Sequence, residues 1–187
     1  MAIAYGDAWL DIANRALGRI NKGRLESLSE EGELAQYVNT FIGEAIETIM
    51  SARSWSVAKR AELVRKEITP VYGYVYSYAL PGDLINIVSI ETGGADYRPE
   101  GSSVLTDAEE VSILYTFRTE DPSDLPGYLK RAISTQLAFL LSSALTSSEQ
   151  LAARIAQESQ LALEEAIRAD SRRYKQALPD TWYDEAR

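Results

Sequence analysis

The apolar residues of this chain change their period twice, and that change constrains the fold more than any other feature. Trp9, Ile12, Ala13, Ala16, Leu17 and Ile20 recur at three and four, one face of an amphipathic helix that starts near Gly6-Asp7 and frays at Gly18 and Gly23. A polar loop follows, in which Leu25 and Leu28 read as anchors and Ser29, Glu30 and Glu31 as the N-terminal signal of a second helix. Leu34, Tyr37, Val38, Phe41, Ile42, Ala45, Ile46 and Ile49 then hold the helical spacing for about four turns. After Trp55 the period becomes two, β-branched and aromatic residues accumulate, and turn residues come at short intervals. Strands are expected at 56–67, 71–79, 84–92, around Tyr97 and at 111–118. Pro81-Gly82 fits the middle of a type II turn, and Gly93-Gly94 makes another.

The helical period returns at Asp121. Pro126 suits a first turn, and Leu129, Ala132, Ile133, Leu137, Leu140, Leu141 and Ala144 make the apolar stripe of a third helix. Thr146-x-x-Glu149 reads as a capping box for a fourth, which buries mostly small residues: Ala152, Ile155, Ser159, Ala162, Leu163 and Ala166. Small residues admit a close helix neighbour. Wide apolar faces on both helix pairs have to be covered. The expected fold is therefore α+β, a bundle of four main helices (1–55 with 124–175) and a small, mostly antiparallel sheet (56–123) inserted between helices two and three. Residues 176–187 are left as a C-terminal arm.

Composition removes several kinds of chemistry. None of the 187 residues is cysteine or histidine, which excludes disulfides, thiolate metal sites, Ser-His and Cys-His nucleophile pairs and the commonest general base near neutral pH. The carboxylates that remain show one nuclease-like spacing, Asp180 with Glu185-Ala-Arg187, but it lies in a tail with no scaffold to hold a metal. Asp107, Glu109 and Glu110 read as a solvated loop. Phosphate-binding loops, dinucleotide-binding turns and nucleophile elbows are absent from the sequence. A non-enzymatic chain with no cofactor and no metal is expected. The net charge of −9 opposes a grip on a phosphate backbone, and no stretch reaches the length of an apolar membrane span.

Two clusters remain as candidate protein interfaces. Tyr72, Tyr74, Tyr76 and Tyr78 stand at every second position, on one face of a strand, either as one wall of a core or as a docking surface. No lysine or arginine lies between Lys66 and Arg98, so base stacking along this strand is rejected. Arg168, Arg172, Arg173 and Lys175 lie in the final turns of the last helix. They either complement its dipole or join Trp182 and Tyr183 in an arm that docks on a partner groove.

The segments "SWSVAKRAEL", "YGYVYSYALPGDLINIVSI", "YRPEGSSVLTDAEEVSILYTFR" and "DPSDLPGYLKRAISTQLAFLLSSALT", in this order after an N-terminal helix and loop, resemble the head-to-tail adaptor family of short-tailed phages, also called tail tubular protein A. The likeness runs from about Leu10 to Asp170 and contains no catalytic motif. It implies a virion neck protein, made in the host bacterial cytoplasm, that forms a ring of commonly twelve copies beneath the portal protein. Such a ring contacts the tail nozzle or tail tube, in some cases tail fibres, and passes genomic DNA without specific binding. A tail-completion or stopper protein of the same kind of particle is the nearest alternative; a metal-dependent nuclease is the distant one.

Overall fold

Asp7–Trp9 forms a 3-10 turn that runs directly into α1 (Leu10–Arg19) in the computed structural model, which describes residues 6–66 and 73–177. The chain is mixed α+β, with four helices and two small antiparallel sheets. It divides into two units, Met1–Ala52 with Thr119–Arg187, and Arg53–Arg118.

In the helical unit, α1 buries the six residues that its spacing selects, from Trp9 to Ile20. Leu25 and Leu28 are buried as anchors. Two asparagine side chains fix them: Asn14 Nδ2 donates to the Leu25 carbonyl at 3.0 Å and its Oδ1 accepts the Leu25 N–H at 2.8 Å, while Asn39 Nδ2 donates to the Leu28 carbonyl at 2.7 Å. The loop before α2 (Glu33–Ser51) differs from expectation. Glu30 accepts from the N–H groups of Glu26 and Ser27, behind it in the chain, and α2 opens at Gly32 with no side-chain cap. A free carboxylate serves the nearest unpaired N–H groups, and here those belong to the loop. Burial on α2 also turns slightly, taking in Ala35 and Met50 and leaving Leu34, Tyr37 and Phe41 half-buried.

The third helix, α3 (Gly127–Leu145), touches α1, α2 and the fourth helix, α4 (Glu149–Ala177). A helix with neighbours on several sides buries polar positions too. Ser134, Thr135 and Ser142 satisfy their hydroxyls on carbonyls three residues back, at 3.0, 2.9 and 2.7 Å. Leu140 is half-buried and Ala144 exposed, so the stripe read from the sequence is displaced rather than lost.

Ser148, not Thr146, caps α4. Its Oγ accepts the Leu151 N–H at 3.3 Å and its carbonyl the Ala152 N–H, whereas Thr146 Oγ1 accepts from Ser148 itself. Ser148→Ala is therefore expected to cost about 1 kcal/mol in urea unfolding, and Thr146→Ala less. Along α4 the buried positions among the described side chains are Ile155, Ser159, Ala162, Ala166 and Asp170, and the pairs Gln136–Ser159, Arg131–Glu165 and Tyr128–Asp170, each at 2.7 Å, set it antiparallel to α3.

The second unit holds two sheets where one was expected. Strand β1 (Lys59–Glu62) and β2 (Val64–Lys66) are separated only by Leu63, and they belong to different sheets. The orders are β1-β7-β4 and β2-β3-β6-β5, with β3 Tyr76–Ala79, β4 Leu84–Glu91, β5 Tyr97–Glu100, β6 Ser103–Thr106 and β7 Ser112–Phe117. The apolar faces share one core of Leu63, Tyr78, Val104, Ala108, Val111, Ile113, Tyr115 and Phe117. Strand β6 was not foreseen; it pairs with β5 across a two-residue turn in which Gly101 has φ 56.

Two turns sort themselves by φ. Gly93 and Gly94 adopt φ 66 and 96, so this turn forms as expected. Gly82 does not have a positive φ, and the Leu84 N–H closes on the Pro81 carbonyl at 3.2 Å, so the turn centres on Gly82-Asp83 instead of Pro81-Gly82. The type II assignment fails because Pro81 is the first residue of the turn and not the second.

Candidate protein interface

Only part of the tyrosine ladder is strand. Tyr72 lies outside the described residues, Tyr74 precedes β3, and Tyr76 and Tyr78 lie within it. Tyr78 is 2% exposed and its ring belongs to the core of the second unit, so it forms a wall and not a docking surface. Its hydroxyl lies 2.8 Å from the Ala108 carbonyl and 2.6 Å from that of Glu109, donating to either. Tyr74 and Tyr76 are half-buried.

Arg65 joins these rings, and the sequence scan passed over it. Antiparallel pairing sets Arg65 opposite Tyr78. Its guanidinium carbon lies 3.7 Å from the Tyr76 ring centroid, and Nη2 donates to the Tyr78 hydroxyl at 3.3 Å and to the Glu109 carbonyl at 2.9 Å. The pKa of Arg65 is raised above its ordinary value, first by the hydrogen bond to Tyr78 and then by the charges of Tyr78, Tyr76 and Glu109 against a desolvation that lowers it. A scan for cations within one strand could not find it, because cross-strand neighbours are distant in sequence. The hairpin also exposes Val64 (73%) and Val75 (57%).

A cleft of about 740 Å³ adjoins this cluster, with Leu63, Ala108 and Val111 buried in its wall and Glu62, Glu91, Glu109 and Glu110 around it. Glu91 pairs with Arg60 at 3.1 Å. Among the described residues no group of three histidine, cysteine or carboxylate side chains is placed to hold a metal ion. Asp107 accepts the Val75 N–H at 2.8 Å, a structural use of that carboxylate. Asp180, Glu185 and Arg187 lie outside the described residues.

A second polar cluster sits on the three-stranded sheet. Asp83 accepts from Tyr115 at 3.0 Å and from Lys59 at 3.1 Å, and the Lys59 ammonium lies 3.8 Å from the Phe117 ring centroid. Burial, then the bond and charge of Asp83, push the Tyr115 phenol up to about 12 from 10.0. A phenol whose folded pKa is raised contributes stability that is complete below about pH 10 and lost as pH rises through about 12. Alkaline titration of the ring absorbance at 295 nm should show one phenol ionising together with unfolding, and Asp83→Asn should bring that step to lower pH. In the helical unit, the Ser123 N–H, bonded to the Asp121 carboxylate at 2.8 Å, holds that group below its ordinary value.

On α4, Arg168 pairs with Glu164 at 3.1 Å within the same turn, and the Arg172 Nε donates to the Arg168 carbonyl at 3.3 Å. Arg172 and Arg173 are exposed. Trp182 and Tyr183 lie outside the described residues. No helix among the described residues is long and apolar enough to cross a membrane. No family model and no curated protein matches this chain.

Proposed function

We propose that this chain is the repeating subunit of a head-to-tail adaptor ring in a short-tailed phage, a non-enzymatic connector between the portal protein and the tail nozzle. One observation carries the reading. Helices from both sides of the strand region pack together through α3, while the strands among the described residues all arise from the segment between α2 and α3. We read this arrangement as a four-helix bundle with its sheets inserted between helices two and three, the layout expected from the apolar periods, in a chain whose segments from Leu10 to Asp170 resemble this family. The bundle packs against neighbouring copies, the ring lies in the virion neck after synthesis in the host bacterium, and the C-terminal arm reaches the portal.

Charge supports the same role. Each copy contributes −9, so a ring of twelve would present an acidic lumen along which DNA slides without sticking. The test is negative-stain electron microscopy of the purified protein with its cognate portal ring. A second ring of density on the portal supports the adaptor; a protein that instead caps a tail tube, or stays alone, transfers the assignment to a tail-completion or stopper role. Deleting residues 178–187 should abolish portal docking and leave the circular dichroism spectrum unchanged.

A further inference from the structure

The end of α4 carries arginines with nothing in the described part of the chain to neutralise them. Asp170 of α4 lies opposite Tyr128, one residue from the start of α3 at Gly127, yet α4 continues to Ala177. The last turns, with Arg172 and Arg173, therefore run about 10 Å past the helix that supports them. Neither arginine makes an ion pair among the described residues.

The complementary feature is the cleft of the second unit. Its wall includes buried Leu63, Ala108 and Val111, and its rim carries Glu62, Glu109 and Glu110, all exposed. Glu62 and Glu110 make no ion pair among the described residues, and Arg65, the cation next to Glu109, is stacked on Tyr76 and bonded to two oxygens. Some surface carboxylates are paired, as in Asp11–Arg15, Glu165–Arg131 and Asp83–Lys59; at the cleft three exposed glutamates instead lie together around one apolar wall.

We infer that the overhanging end of α4 of one copy docks into the Glu62–Glu109–Glu110 cleft of the next, Arg172 and Arg173 meeting the rim carboxylates. The occupant is a second copy because the same chain presents both signs on two different surfaces. A contact between different patches is head-to-tail, and a head-to-tail contact that closes makes a ring. This inference rests on the ring reading and names its interface.

Charge reversal tests it. Glu109→Lys with Glu110→Lys makes the cleft basic, and Arg172→Glu with Arg173→Glu makes the helix end acidic. Sedimentation velocity across concentration, alone and with the portal ring, should show each variant assembling at least about tenfold more weakly than wild type, with circular dichroism unchanged. Mixing the two variants, or combining all four substitutions in one chain, should restore assembly, since each basic cleft then meets an acidic helix end. Wild-type assembly should also weaken steeply with salt. Rings that persist at wild-type affinity in both variants overturn this contact and leave the ring reading intact. Unchanged assembly with a lower, concentration-independent melting temperature would place α4 in its own chain's cleft and overturn the inference. A wild-type protein that stays monomeric at all concentrations, with and without portal, removes the ring reading and this interface with it.

Discussion

Trp9→Ala is expected to destabilise the helical unit by about 3–5 kcal/mol, the range for removing a fully buried aromatic side chain. Trp9 is 0% exposed, and its Nε1–H donates to the Glu120 carbonyl at 2.7 Å, so one residue ties the start of the chain to the turn that leads into α3. The loss has two parts, a cavity and a carbonyl deprived of its donor. Trp9→Phe separates them, since it retains most of the apolar volume and leaves Glu120 without the indole N–H, for about 1–3 kcal/mol. Urea unfolding followed by far-ultraviolet circular dichroism reads both. Because a domain of this size holds about 5–15 kcal/mol in total, Trp9→Ala should remove a large share of it. An alanine variant within 1 kcal/mol of wild type would mean that the α1 face is not coupled to the rest of the unit.

The helices were legible because one period sufficed to find them. Every residue that the spacing selects on α1 is buried, and so are five of the eight selected on α2, the other three forming its half-buried edge. Their ends were less legible. Ser29 and Thr146 are good capping residues by type, but Ser148 and the Gly32 backbone open the helices, because a cap is chosen by which N–H groups the folded loop brings near. The strands were found where alternation was long and misread where it was short. A run from 56 to 67 looks like one strand, and nothing local says that Leu63, donating its N–H to the Val111 carbonyl at 2.8 Å, is where the chain leaves one sheet for another. Sheet membership is a property of non-local pairing.

The interface candidates show the same limit. Four tyrosines at alternate positions are visible in sequence; which of them is core depends on Val104 and Thr106 of β6, a strand the sequence reading lacked. Arg65 was invisible for a related reason, since its relation to Tyr76 and Tyr78 exists only through the β2–β3 register. The charges of α4 were legible as charges. That they overhang α3 follows only from the Tyr128–Asp170 pairing.

Tyr78→Ala is expected to cost the sheet unit about 3–5 kcal/mol, and Tyr78→Phe about 1–3 kcal/mol, with the difference assigning the ring and the hydroxyl separately. The hydroxyl donates to the Ala108 or the Glu109 carbonyl and accepts from Arg65, and because Arg65 also donates to the Glu109 carbonyl, phenylalanine leaves the buried Ala108 carbonyl without this donor at the root of the cleft. A double-mutant cycle with Arg65→Met isolates the guanidinium: Tyr78→Phe and Arg65→Met should be non-additive, because each removes the same bond. The functional expectation follows from burial. A ring that is 2% exposed contributes no contact area to a partner, so Tyr78→Phe, kept below its melting temperature, should bind the portal ring as wild type does. A Tyr78→Phe protein that is as stable as wild type yet fails to dock would reverse the assignment of this ring to the core, and would place the wet end of the ladder at Tyr78 instead of at Tyr74 and Tyr76.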